Sequence, residues 1–254
     1  MSAAAYSAAM ARSCLFCGSR KKLTKEHVYP AWLYRALNIG GPITFMYGDE
    51  TVRITPRLDT TLREVCGACN NGWLHDLEHT FRSVMLNALQ GHIGEPTVLN
   101  PGAQQVVATW AIKTWLLLER ATVHLRGMAI ESPGTLLTLR RDNAPSDTSR
   151  VSIGAVRITD GTFSWLSSSR LRRVGEDYEF GVVGVLTIGA VVFHISGAVE
   201  PPRGGRSAIL GTDPEWFVPV WPRHVPEVSW PPPSIFTLDE LRRRWPGNRV
   251  LLVP

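Results

Sequence analysis

The chain predicts an α+β protein in which an N-terminal hairpin-and-helix module, clamped by metal, precedes a mixed domain of helices and antiparallel sheet. Three observations carry this. All four cysteines stand in two C-x-x-C pairs, Cys14-Leu15-Phe16-Cys17 and Cys66-Gly67-Ala68-Cys69. Apolar residues then recur at spacings of three and four, first from Trp73 to Leu89 and again from Ala103 to Ala121, which is the period of a helix. Beyond these come β-branched runs separated by glycines and turn pairs, which is the pattern of strands.

The cysteine spacing lets two thiolates on one tight turn reach a single tetrahedral Zn²⁺, and two such turns complete a closed Cys₄ site. A closed site leaves no position for water, so this zinc would be structural and any chemistry must lie beside it. Two disulfides would require an oxidising compartment, which nothing in the sequence suggests. A redox C-x-x-C does not call for a second pair, so zinc is the expectation and free or redox thiols the alternative.

Taken in order, Met1 to Ala11 is rich in small residues and reads as a frayed tail rather than a secretory signal. Arg12 to Cys17 should form the first zinc knuckle. Thr24 to His27 precedes Pro30, whose ring biases Tyr29 towards extended geometry, so Glu26 and His27 should close a strand. Side-chain alternation then sends Glu26 and His27 to opposite faces unless the strand bulges. Pro30 to Leu37 reads as one or two helical turns. Gly40-Gly41-Pro42, Gly48-Asp49 and the run Thr51 to Thr55 suggest a hairpin or loop excursion. From Asn70 the pattern becomes helical, with Trp73, Leu74, Leu77, Phe81, Val84, Met85 and Ala88 on one face, ended by Gly91 and Gly94.

Asn100-Pro101-Gly102 is a plain break and divides the chain into a tail (1–11), the clamped module (12–99) and an α+β domain (100–254). The helix Ala103 to Ala121 is apolar almost all round and should be buried. Strand-like runs follow at 135–139, 151–159, 162–166, 180–188 and 190–195, with Asp160-Gly161 as a hairpin turn and Pro201 to Gly205 as another turn. The stretch Gly181 to Val199 has no formally charged residue and is long enough to raise the question of a membrane span. Its glycines, its β-branched residues and His194 fit two buried strands better. Leu238 to Trp245 should be a last short helix.

A net charge of +5 permits an anionic partner without demanding one. Its distribution is uneven: Arg12, Arg20, Lys21, Lys22 and Lys25 surround the first knuckle with no acid among them, and Arg170, Arg172, Arg173 and Arg242-Arg243-Arg244 form two further clusters. The chain reads as cytoplasmic, with no membrane partner.

The combination of C-x-x-C, then Leu23-Thr24-Lys25-Glu26-His27-Val28-Tyr29-Pro30, then C-x-x-C followed by Asn70-Asn71-Gly72-Trp73 resembles the HNH nuclease family over roughly residues 12–80. That resemblance implies a ββα-metal module, also called a His-Me finger, and a metal-dependent endonuclease acting on double-stranded DNA. It places His27 as general base, Glu26 and Asn70 as ligands of a catalytic Mg²⁺ or Mn²⁺, and Cys14, Cys17, Cys66 and Cys69 around structural Zn²⁺. The residue types suit the chemistry. Phosphodiester hydrolysis needs a base for the attacking water, and histidine is the side chain best matched to that task near neutral pH. Hard oxygen donors suit Mg²⁺ or Mn²⁺ better than zinc.

The family usually places an asparagine five residues before the third cysteine, where it orients the histidine. Here that residue is Thr61, whose hydroxyl can make a weaker version of the bond, unless Asp59 or Thr60 serves after a register shift or the site is impaired. Arg20, Lys21, Lys22 and Lys25 are the candidate nucleic-acid contacts. His75 and His79, one helical turn apart, have metal-binding spacing but read as two exposed helix residues, and Trp73 as packing over the zinc turn. Trp216, Trp221, Trp230 and Trp245, with Arg206, Arg223 and His224, either stack bases or cap the sheet, and capping is the expectation.

Three functions follow. One is a DNA endonuclease whose C-terminal region selects the target. The second is a catalytically impaired nucleic-acid-binding protein on the same fold, and the third an enzyme of this fold acting on a nucleotide or small molecule.

Overall fold

A computed structural model describes residues 13–39, 43–47, 50–55, 60–121, 134–157, 163–174, 177–198, 205–207, 212–223, 225–244 and 249–253. The expectations for residues 1–12, Gly40-Gly41-Pro42, Gly48-Asp49, Asp59, Asp160-Gly161, Pro201 to Gly204, His224 and Trp245 lie outside the described residues, as does the side chain of Arg206. The architecture is mixed α+β with mainly antiparallel sheets. No helix among the described residues is long and apolar enough to cross a membrane.

The first layer is small. Strand β1 (Leu23–His27) pairs antiparallel with β4 (Thr61–Cys66), joining Leu23 to Cys66 and His27 to Thr61, with an irregularity between Thr24 and Glu26. A six-residue helix, α1 (Ala31–Ala36), between one and two turns long, follows Pro30 as anticipated. The chain then leaves for a hairpin, β2 (Ile43–Tyr47) and β3 (Glu50–Thr55), before returning in β4. From Cys66 it enters a π turn (Cys69–Leu74), in which Gly72 is non-helical at φ −107° and ψ −105°, and then helix α2 (His75–Leu89). The helix expected from Asn70 is therefore kinked in its first turn. Its inward face is the one the spacing indicates, because Leu74, Leu77, Phe81, Met85, Ala88 and Leu89 are all buried.

A three-residue strand, β5 (Thr97–Leu99), leads into α3 (Pro101–Ala121), which begins two residues before the expected start and is buried from Val107 to Leu118. Helix α3 packs on α2: Phe81 stacks on Trp110 at 3.8 Å between ring centroids, and both meet Phe193 of the sheet. Residues 135–139, expected as a strand, are instead part of helix α4 (Gly134–Asp142). Leu136 and Leu139, three apart, are buried while Leu137 between them is exposed, so the segment offers one helical stripe rather than a strand's alternation.

The remaining strands are β6 (Ser149–Ala155), β7 (Phe163–Val174), β8 (Asp177–Ile188), β9 (Val191–Ala198), β10 (Gly205–Ser207), β11 (Val218–Trp221), β12 (Val228–Trp230) and β13 (Arg249–Val253). The large sheet runs β11-β6-β9-β8-β7-β13-β2-β3, with β10 added parallel to β8, and β12 pairs with β5 in a separate ribbon. A hairpin joining β6 to β7 does not form, because β6 lies between β11 and β9. The tight hairpin is β8 to β9 through Gly189, which sits at φ +55°. Burial of 183–197 on both strands answers the membrane question in favour of strands.

The tryptophans of the tail cap this core. Trp230 is buried and donates Nε1–H to the Gly154 carbonyl at 2.9 Å, Trp221 donates to the Ser146 carbonyl at 3.1 Å, and Trp216 stacks on Phe236. The last helix, α5 (Leu238–Arg244), brings Arg244 over the Trp216 ring at 4.4 Å.

Candidate metal centre and the face beside it

The first C-x-x-C forms a turn in which Gly18 N–H bonds the Cys14 carbonyl and Cys14 N–H the Ser19 carbonyl, with Gly18 in the left-handed region at φ +67°. Leu15 N–H reaches the Glu64 carbonyl and so fixes this knuckle to β4. The second pair lies where β4 ends and the π turn begins. Together they gather the Sγ atoms of Cys14, Cys17, Cys66 and Cys69 within 4.8 Å of one another, with Cys17 and Cys66 at 3.6 Å. Four sulfurs about 2.3 Å from a tetrahedral Zn²⁺ stand a little under 4 Å apart, so the donor set fits a closed, structural zinc site.

Burial pushes the Cys14 and Cys69 thiols up. Cys66 moves the other way: against its own desolvation, the Cys69 backbone N–H and the neighbouring thiols bring it down to about 7. That is the sulfur poised to be thiolate first, and a cation among the four would complete the set.

The expected side-chain alternation decides the rest. Glu26 and its cross-strand partner Leu62 are buried on the inner face of the β1–β4 pair, while His27 is exposed and its partner Thr61 half-buried on the other. The strand irregularity does not bring Glu26 and His27 to one side. Thr61 therefore stands across from His27, the position from which a hydroxyl could orient the ring.

Asn70 faces β1. Its Nδ2 donates to Thr24 Oγ1 at 3.0 Å and to the Lys25 carbonyl at 2.9 Å. Thr24 Oγ1 spends its hydrogen on the Val65 carbonyl, so it can only accept from Asn70, which fixes the amide's orientation and leaves Oδ1 as its oxygen donor. Arg20, Lys21, Lys22 and Lys25 are all exposed. His75 and His79 are exposed on α2, the latter lining a surface cleft of about 420 Å³ with Arg82 and Asn87. Trp73 packs on Phe16 with ring centroids 5.2 Å apart and donates to Asn143 Oδ1 at 2.7 Å.

Glu26 has a partner that sequence reasoning missed. Lys113, wholly buried in α3, lies 3.7 Å from Glu26 Oε1 and 2.7 Å from Glu78 Oε1. Burial would strip the lysine of its proton, but the two carboxylates outweigh it and raise its pKa. Burial dominates at Glu26, with Glu78 adding to it, and lifts the carboxyl from 4.5 to about 7 in spite of Lys113. A signal was present, since Lys113 is the single charged residue between Pro101 and Leu118.

These placements bear on a catalytic divalent ion. Such an ion takes carboxylate oxygens with room for water, whereas Glu26 faces a buried ammonium. Among the described residues the four cysteines are the one group of three or more His, Cys, Asp or Glu side chains gathered closely enough to hold a metal. As arranged, Glu26 is turned to the Lys113 ammonium and does not fit a bound Mg²⁺ or Mn²⁺, while Asn70 keeps Oδ1 as an oxygen donor. The chain matches no family model, no curated protein and no solved structure.

Proposed function

We propose that this chain is an endonuclease of the HNH type that hydrolyses DNA phosphodiester bonds on the exposed face of the β1–β4 pair. The observation that supports this best is the pairing of His27 with Thr61 beside a four-thiol clamp that holds hairpin and helix together. On this reading His27 takes the proton of the attacking water, and the Thr61 hydroxyl positions its ring. Arg20, Lys21, Lys22 and Lys25 hold phosphates by charge. The zinc is structural and takes no part in the chemistry.

One observation favours a second reading. Because Glu26 is engaged by Lys113, a protein that grips nucleic acid on this face without cutting it accounts for the same geometry. Plasmid nicking with Mg²⁺, Mn²⁺ or EDTA, beside His27→Ala with zinc measured in both, separates the two. The endonuclease reading expects cutting that falls at least roughly a hundredfold in the zinc-replete variant. Salt-dependent duplex binding with no cutting under any metal would hand the site to the second reading, and neither binding nor cutting would sink both.

A further inference from the structure

We infer that Lys113 is the resident counter-cation of Glu26, so that helix α3 governs whether this carboxylate accepts a divalent ion. The inference rests on the endonuclease reading, whose family resemblance makes Glu26 the metal-binding acid although its carboxylate lies on the buried face away from His27. Lys113 Nζ is fully buried, so it cannot reach a phosphate or serve as a surface contact. Its neighbours are Glu78 Oε1 at 2.7 Å and Glu26 Oε1 at 3.7 Å, and its charge also lies 6.0 Å from the Trp110 ring centre. Both carboxylates thus converge within 3.7 Å of one cationic point. A divalent ion drawn to Glu26 would meet that like charge in a buried setting, where repulsion is weakly screened.

The geometry also says what removal of the lysine would leave. Two carboxylates facing a vacated cationic position make a donor pair of the kind Mg²⁺ and Mn²⁺ take, with water completing the shell. Lys113 occupies that position with a single charge, hydrogen-bonded to Glu78 at 2.7 Å and paired by charge with Glu26 at 3.7 Å. The contact comes from the second region of the chain and acts on a residue of the first. Loading the site would therefore require α3 or the Lys113 side chain to move.

Mn²⁺ binding to the zinc-loaded protein, read from the electron paramagnetic resonance signal of the free ion and in the absence of nucleic acid, tests this independently of cutting. Lys113→Met should bind Mn²⁺ at least roughly tenfold tighter than the native chain, and adding Glu26→Gln should abolish the gain. A folded Lys113→Met with native Mn²⁺ affinity overturns the inference. Should Lys113→Met not fold, Glu26→Gln in the otherwise native chain decides: unchanged Mn²⁺ binding is the expected result. A loss of binding would show that Glu26 already holds the ion beside Lys113, which overturns the inference while strengthening the nuclease reading.

Discussion

Glu26 and His27 are adjacent in sequence and part company in space, and the physical cause is the two-residue period of a strand. His27 turns to solvent beside Thr61, and Glu26 turns inward to Lys113. The raised Glu26 pKa has a definite consequence. A carboxyl lifted from 4.5 to about 7 on folding contributes stability that is fully present below pH 4.5 and is lost as pH rises through 7. The neutral isostere Glu26→Gln escapes that loss, so its unfolding free energy should gain on the native protein between pH 5 and pH 8 by on the order of 2–3 kcal/mol, with its melting temperature rising relative to the native one. Parallel melting curves across that range would contradict the burial argument.

Thr61 makes a second test at this scale. Thr61→Val should slow cutting by about fivefold, the worth of one hydrogen bond, and Thr61→Asn should restore or exceed the native rate. The four cysteines were legible in the sequence because ligand chemistry dictates their spacing. Lys113 went unread because its partners, Glu26 and Glu78, lie on other elements and no local pattern announces them.

At the scale of elements, the helices α2 and α3 were legible from their apolar period, and β3, β6, β7, β8 and β9 from their β-branched runs, whereas β5, β10, β11, β12 and β13 were not read from the sequence. Residues 135–139 misled because a short apolar run fits either state until its partner is known, and α3 supplies a partner for a helical stripe. The hairpin between β8 and β9 depends on Gly189, where an added Cβ would stand 2.0 Å from the Leu89 carbonyl oxygen at a φ of +55°. Gly189→Ala should cost roughly 3 kcal/mol, read by chemical denaturation, since both backbone strain and a backbone clash oppose it. The clamp is the other element-scale device. Cys66→Ser should lose stoichiometric zinc and, with it, the order of β1, β4 and the π turn, because closed sites of this kind return binding energy as folding energy of roughly 10 kcal/mol. Retained zinc with an unchanged fold would show that the four thiols do not act as one site.

Across the whole molecule the break at Asn100 separates sequence patterns more sharply than it separates the core. The larger of two buried clusters draws on residues from Cys14 to Trp230 and so crosses the break, β5 pairs with β12, and the β2–β3 hairpin joins the large sheet through β13. Such pairings are long-range and leave no local mark, so the sequence shows the two patterns and not their union. Residues 1–99 alone should therefore fail to give a dispersed amide spectrum even with zinc, since Leu77, Phe81 and Met85 would lose the α3 surface that covers them.

The proposed function requires nucleic acid to meet the protein on the β1–β4 face, whether or not it is then cut. Amide chemical-shift mapping of the zinc-loaded protein with a short DNA duplex tests this most directly. Salt-sensitive shifts concentrated on Arg20 to His27, Thr61 and Asn70 are the expected result. Shifts confined to the large sheet or the tryptophan-rich tail, with β1 and β4 silent, would contradict it.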